Sequence, residues 1–291
     1  MLEGIIIKGI GGFYYVKVGD RIYECRARGL FRKNKIIPLV GDRVLIKINK
    51  EDNTGYVEEI YDRTTELIRP PVANVNQAVI VFAVKKPDPN LWLLDRFLLL
   101  ASYQGLDAII CINKSDLDVD GEIDNIYDIY KKAGYQIIKT SCTNRIGIDE
   151  LKRQLKDKIT VFAGPSGVGK STLLNNIQSN LKLQTGEISQ KTSRGKHTTR
   201  HVELIELDSG GWVVDTPGFS TLDIDFIKED ELIKYFIEVY DRSSLCRFSG
   251  CSHNKEPGCE VKKAVEEREI SQSRYDNYLS MLQEVKDIRR Y

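Results

Sequence analysis

The chain has 291 residues, 41% of them hydrophobic, and its 43 basic and 42 acidic side chains leave a formal charge of +1. That length suits two or three domains, the apolar share excludes wholesale disorder, and the balanced charge excludes a uniformly basic nucleic-acid binder. The longest uninterrupted apolar stretch, Ala78 to Val84, falls well short of the roughly 18 residues a membrane span needs.

In chain order, Met1-Leu2-Glu3-Gly4 carries no basic segment ahead of an apolar one. The expectation is therefore no signal peptide and a reducing cytoplasm, in which the cysteines are thiols or metal ligands. Residues 1–66 then alternate as strands do. Tyr14, Val16 and Val18 lead to a Gly19-Asp20 turn, and Ile22 to Cys25 lie beyond it. Val44, Ile46 and Ile48 follow Gly41-Asp42, and Tyr56 to Ile60 follow Asn53-Thr54-Gly55. Short alternating strands joined by Gly/Asp turns predict a small β-barrel. Within it, Arg26, Arg28, Arg32, Lys33 and Lys35 surround Phe31 with no acid among them. On a barrel loop such a run can follow a phosphate backbone while the aromatic stacks on a base; a simply solvated face is the alternative.

From Asn76 strands and helices alternate: strands over 78–84, 107–112, 135–139 and 160–162, helices over 90–104, 122–132 and 148–156. That rhythm predicts a parallel sheet covered by helices. Past Phe226 the chain reads as helical around a Cys-rich insert and ends in an amphipathic helix over 271–289.

Gly164-Pro165-Ser166-Gly167-Val168-Gly169-Lys170-Ser171 fits G-x-x-x-x-G-K-[ST] between an apolar strand and a helix-forming run that continues through Thr172. Such a loop closes backbone N–H groups around phosphate oxygens at a helix N-terminus. Lys170 then reaches the β- and γ-phosphates, and the Ser171 hydroxyl ligates Mg²⁺. Asp215-Thr216-Pro217-Gly218 follows the short apolar strand Trp212-Val213-Val214. Asp215 suits Mg²⁺ binding through water, and Gly218 lets a backbone N–H approach the γ-phosphate. Alone this tetrapeptide is as often an ordinary turn.

Asn113-Lys114-Ser115-Asp116 closes the strand over 107–112. The Asp116 carboxylate can accept from N1–H and the 2-amino group of guanine, a donor pair that adenine lacks. Lys114 would lie along the base and Asn113 would brace the loop. Ser141-Cys142-Thr143, at the next strand end, suits a backbone N–H contact to guanine O6. Helix caps or plain turns are the alternatives, but consecutive strand ends are where open α/β sheets bind ligands.

The basic, polar segment 191–201 between the phosphate loop and Asp215 reads as switch I, which needs a Thr hydroxyl for Mg²⁺ and the γ-phosphate; spacing leaves Thr198 and Thr199 unresolved. The residue after Asp215-Thr216-Pro217-Gly218 is Phe219, where Ras-like enzymes place a water-orienting Gln, so slow intrinsic turnover is predicted. Cys246, Cys251, His253 and Cys259 form a Cys₃His set, the ligand complement of a closed structural zinc site, with a redox pair or disulfide as the alternative.

The nucleotide motifs resemble those of translation-factor-type GTPases, but the base-reading loops at 113 and 141 precede the phosphate loop and Asp215. That is the order of a circular permutation. With a barrel in front and a Cys/His cluster behind, the whole chain resembles the ribosome small subunit-dependent GTPase A family. The resemblance implies a multidomain fold: an N-terminal OB-fold β-barrel over 1–66, a circularly permuted α/β P-loop GTPase domain over 67–225, and a mainly helical zinc-binding domain over 226–291. It further implies a GTPase of low intrinsic activity, stimulated by the small subunit and acting in late maturation of the bacterial 30S subunit. The implied cofactors are one structural Zn²⁺ and Mg²⁺ with GTP. The implied partners are the 30S subunit with its rRNA and GTP or GDP, with no membrane and a monomeric chain. The family's His-Thr-Thr pattern favours Thr199 as the Mg²⁺ ligand. It makes His197 the substitute for the missing Gln, against the plainer reading of a surface or RNA-contacting histidine. A GTPase of tRNA modification and a nucleotide-gated RNA chaperone with incidental hydrolysis are the rival functions.

Overall fold

The computed structural model describes residues 1–33, 36–49, 54–68, 70–178, 202–215 and 222–288. Lys35, His197, Thr199, Gly218 and Phe219 lie outside the described residues, as do the side chains of Arg32 and Lys33.

β1 (Leu2–Ile10), β2 (Phe13–Val18), β3 (Arg21–Ala27), β4 (Arg43–Ile48) and β5 (Thr54–Ile60) close a barrel in the order β1-β2-β3-β5-β4. β3 and β5 run parallel and the other neighbours antiparallel. Alternation carries Ile6, Val16, Cys25, Val44, Ile46 and Val57 inward, where all are fully buried. Between β3 and β4 the chain forms a short helix, α1 (Gly29–Lys33). The expectation of strands and a basic loop is corrected here. α1 turns Phe31 inward to 7% exposure within the apolar cluster, so this aromatic is not available to stack on a base.

A two-strand ribbon, β6 (Glu66–Leu67) with β7 (Val72–Ala73), leads to the central sheet. There β8 (Gln77–Ala83), α2 (Leu91–Tyr103), β9 (Asp107–Asn113), α3 (Glu122–Lys132), β10 (Gln136–Lys139), α4 (Ile148–Leu155), β11 (Ile159–Ala163), α5 (Lys170–Ile177), β12 (Leu204–Glu206) and β13 (Trp212–Val214) follow in turn. The strand order is β10-β9-β8-β11-β13-β12. Every residue of β8 is buried, as its uninterrupted apolar run requires for a strand covered on both faces. Ile80 and Phe82 pack with Leu94, Leu98 and Ile123 of α2 and α3, while Val79 and Val81 pack with Leu151, Leu155 and Leu173 of α4 and α5. One expectation is corrected: β12 runs antiparallel to β13, because the tight turn through Gly210 and Gly211 leaves no room for a crossover helix.

α6 (Glu229–Leu232), α7 (Ile237–Ser243), α8 (Glu260–Glu266) and α9 (Gln272–Ile288) pack around Phe236, Val239, Val261, Tyr278, Met281 and Val285. Leu99 and Leu100 of α2 belong to this cluster too, so α2 is buried from Leu94 to Ala101 between the sheet and the C-terminal helices. Asp95 and Arg96, which interrupt its apolar run, are paired rather than exposed. Arg274 of α9 donates to Asp95 at 2.8 Å and to both carboxylate oxygens of Glu238 at 2.6 and 3.0 Å. Tyr130 and Asn277 each donate to Asp95 at 2.6 Å. Burial alone would lower the Arg274 pKa, but the carboxylates of Asp95 and Glu238 hold it well above the ordinary value. Arg96 binds Glu284 of α9 through two hydrogen bonds, at 2.5 and 2.7 Å. Removing one member of a buried, satisfied pair leaves an uncompensated charge, so Asp95→Ala should cost about 3–5 kcal/mol. Urea unfolding measures this, and an unchanged midpoint would show that Asp95 does not hold α9 to α2.

Candidate functional site

The parallel register of β9, β8 and β11 gathers their carboxyl ends along one edge, where the phosphate loop and the Asn113 loop lie side by side. Gly164 leaves β11 at φ +135°, and a Cβ there would sit 2.1 Å from the carbonyl oxygen of Val81. Gly169 opens α5 at φ +96°, and a Cβ there would sit 2.5 Å from Nδ2 of Asn113. Both positions therefore require glycine. Between them, Val168 is buried and turns its carbonyl to Asn113 Nδ2, which donates to it at 2.8 Å. Lys170 lies in the first turn of α5, where its ammonium donates to the carbonyls of Gly164 and Pro165 at 2.8 and 2.7 Å. Burial lowers its pKa. Ser171 is half-buried beside it and Thr172 is exposed.

Asn113 is the last residue of β9, and its Oδ1 accepts from Thr140 Oγ1 at 3.1 Å. Lys114 takes a left-handed φ of 59° that throws its side chain across the phosphate loop. Its ammonium donates to the carbonyl of Gly167 at 2.7 Å and to that of Lys86. Burial lowers the Lys114 pKa, opposed by the charge of Asp116. The Asp116 carboxylate accepts from Ser141 Oγ at 2.5 Å, and that oxygen accepts in turn from the backbone N–H of Asn144 at 3.1 Å. The backbone N–H of Ser141 is committed to the Ile146 carbonyl. Ser141 therefore orients Asp116 through its side chain, and its own backbone N–H is already taken. Neither this role of the Ser141 hydroxyl nor that of Thr140 is visible in the sequence, since isolated hydroxyl residues carry no spacing signal.

Asp215 follows β13, and the parallel pairing of β11 with β13, Thr160 opposite Val213, puts it level with Phe162, two residues ahead of the phosphate loop. Its backbone N–H donates to the Glu203 carbonyl at 2.9 Å. Burial and the Glu203 carboxylate raise its pKa, and Lys8 of the barrel opposes them. His197, Thr199 and Gly218 were placed on segments outside the described residues.

A second site lies in the C-terminal helices. Cys246 Sγ is 3.5 Å from His253 Nδ1 and 3.9 Å from Cys259 Sγ, and Cys259 Sγ is 3.4 Å from the same nitrogen. With Cys251, all four donor atoms lie within 4.8 Å of one another, a spacing that can hold one metal ion with no position left open. Burial and the neighbouring thiols push Cys251 up to about 12, the behaviour of clustered thiols whose charges a cation would balance. The surrounding bonds hold the loop. Tyr275 OH donates to the His253 carbonyl at 2.6 Å, and Glu256 accepts from Ser252 N–H at 2.8 Å, Ser252 Oγ at 2.7 Å and Asn254 N–H at 3.0 Å. Against burial, those donors hold the Glu256 carboxyl at about 2.

A family model described as RsgA GTPase matches residues 60–225, and one described as RsgA N-terminal domain matches residues 3–57. A protein of Alkaliphilus metalliredigens named small ribosomal subunit biogenesis GTPase RsgA is 55% identical over the whole of both chains. One of the same name from Clostridium perfringens is 52% identical over 98% of each. Among solved structures, YloQ, a circularly permuted GTPase, is 44% identical with a TM-score of 0.84, over 99% of this chain and 96% of its own. YjeQ from Thermotoga maritima is 39% identical with a TM-score of 0.87 over 98% of each.

The four-ligand cluster should contribute directly to folding, because the ligands converge only in the folded chain. Cys251→Ser, or chelation, should therefore unfold the helices after about residue 240 and leave nucleotide binding largely intact. Freshly purified protein carrying less than about half an equivalent of metal would contradict a resident ion.

Proposed function

The chain belongs to the RsgA GTPase family, and from that footing we propose that it is a cytoplasmic, monomeric GTPase of small ribosomal subunit biogenesis, acting late in 30S maturation. The observation that supports this best is the cradle at the sheet edge. Asn113 and Lys114 bond directly to the Val168 and Gly167 carbonyls, so base-reading and phosphate-holding loops form one unit.

In this reading Asp116, oriented by Ser141, accepts from N1–H and the 2-amino group of guanine, and a backbone N–H at Cys142 donates to O6. Lys114 lies along the base plane. Gly164 to Thr172 wrap the phosphates, where the Lys170 ammonium exchanges two loop carbonyls for the β- and γ-phosphate oxygens. Ser171 and Thr199 would hold Mg²⁺ directly and Asp215 through water, and the ion would supply charge neutralisation at the phosphates. Phe219 offers no hydrogen bond to a water, so His197 orients the attacking one. Phe219 also favours a second reading, in which GTP binding gates RNA contact and hydrolysis is incidental.

Zinc is the ion assigned to Cys246, Cys251, His253 and Cys259. Bond lengths of about 2.3 Å to sulfur and about 2.0 Å to nitrogen put tetrahedral ligand atoms about 3.5–3.8 Å apart, close to the separations found. For rRNA, the barrel offers an open groove lined by Lys47, the exposed ring of Tyr56 and Arg28, which is paired with Glu58, and elsewhere on the barrel Arg26 lies 4.7 Å over Phe13. These aromatics take the place that the sequence suggested for Phe31. Among the described residues no helix is long and apolar enough to cross a membrane.

Comparing GTP turnover with and without purified small subunits tests the proposal: strong stimulation is expected, and none would favour the gating alternative. Asp116→Asn should shift preference from guanine toward xanthine nucleotides in a competition assay; ATP competing as well as GTP with the parent would contradict the base reading. In the subunit-stimulated assay, His197→Ala should lower kcat by about 10²- to 10⁴-fold with little change in GTP affinity. Full stimulation of that variant would transfer the water-orienting role to the subunit.

A further inference from the structure

Besides its bonds to the β6–β7 ribbon, where Val40 bridges Val72 and Asn74 Nδ2 donates to the Gly41 carbonyl, the barrel is joined to a hairpin of the nucleotide-binding domain. In that hairpin β12 pairs with β13, Leu204 opposite Val214 and Glu206 opposite Trp212, and Asp215 follows directly. On its outer side Glu203 forms an antiparallel bridge with Lys8 of β1, and Lys8 Nζ meets the Glu203 carboxylate at 2.7 Å. Lys17 of β2 pairs with Glu206 and lies 5.7 Å from the centre of the Trp212 ring. Beneath these pairs Leu204 and Val214 are buried in the same cluster as Ile6 and Val16 of the barrel. The hairpin thus has sheet pairing on one side and the barrel on the other. In sequence it connects the segment holding Thr199 to the segment holding Gly218.

We propose that Lys8 and Lys17 are positioning residues that clamp this hairpin, so that docking of the barrel holds Asp215 where it meets the hydration shell of Mg²⁺. The proposal rests on the reading of Asp215 as a magnesium ligand. It makes the barrel part of the nucleotide switch. Any ligand whose binding to the barrel changes its docking changes Mg²⁺-dependent nucleotide affinity, and the nucleotide changes the barrel's affinity by the same factor. Neither lysine touches nucleotide in this scheme; each acts through Glu203 or Glu206.

A fluorescent GDP titrated onto the full chain, with saturating Mg²⁺ and with EDTA, tests the clamp. The parent is compared with Lys8→Met/Lys17→Met, with Lys8→Arg/Lys17→Arg and with Asp215→Asn. Mg²⁺ should tighten GDP binding to the parent, and Asp215→Asn should lose that gain. Because both ion pairs are partly exposed, the methionine pair should lose roughly three- to tenfold of it, while its EDTA affinity stays at the parent value. The arginine pair should keep the gain. A full Mg²⁺ gain in the methionine pair, with the gain lost in Asp215→Asn, overturns the clamp and leaves the reading of Asp215 standing. A full gain in Asp215→Asn overturns that reading and the clamp with it. Equal weakening of the methionine pair in both conditions also overturns the clamp, since it marks a general loss of structure.

Discussion

Parallel pairing of β8 with β9 on one side and β11 on the other is the constraint on which the nucleotide site depends. Because β8 is buried on both faces, its neighbours cannot slip by one residue without turning apolar side chains away from α2 and α3 or from α4 and α5. The register fixes where β9 and β11 end. Asn113 then faces Gly169 and Val168 so closely that only a residue without a Cβ fits at 169. A site assembled from strand ends is indifferent to the order in which the strands are connected. This is why the loops after β9 and β10 can precede the phosphate loop in sequence while Asn113 and Lys114 still meet it in space.

Permutation changes what is attached to each end of the site. The barrel enters ahead of β8 and returns through Lys8 and Lys17 to the hairpin that carries Asp215. Behind Asp215 the chain runs into the C-terminal helices, where Ile224 and Ile227 are already buried in their core. Those helices are in turn keyed to α2 by Arg274 and Arg96. The barrel thus meets the nucleotide-binding domain at the hairpin before Asp215, and the C-terminal helices meet it at α2. Modules attached on either side of Asp215 give a change at that residue a route to both without moving the sheet.

Much of this was legible in the sequence because the signals are local. The uninterrupted apolar run after Gln77 marks a doubly covered strand, and the glycine spacing at 164–169 has few structural solutions. The Cys₃His spacing likewise allowed the convergence seen at 246–259. The misreadings were non-local. Phe31 among basic residues looks like a stacking platform until α1 tucks it into the cluster beneath the barrel. Other pairings had no signal to read: Asp95 and Arg96 find their partners, Arg274 and Glu284, 179 and 188 residues away. Lys8 and Glu203 are 195 residues apart and individually unremarkable. A charge has no periodicity, so its partner is found only once the fold brings the two together.

The proposed role in subunit biogenesis implies that nucleotide state would control association with the small ribosomal subunit, and co-sedimentation with purified subunits tests this most directly. The protein is loaded with a non-hydrolysable GTP analogue in one arm and with GDP in the other, at fixed salt and magnesium. The account predicts binding in the analogue-loaded state that is tighter by roughly tenfold or more than in the GDP state. Equal co-sedimentation in the two states, or none in either, would contradict it.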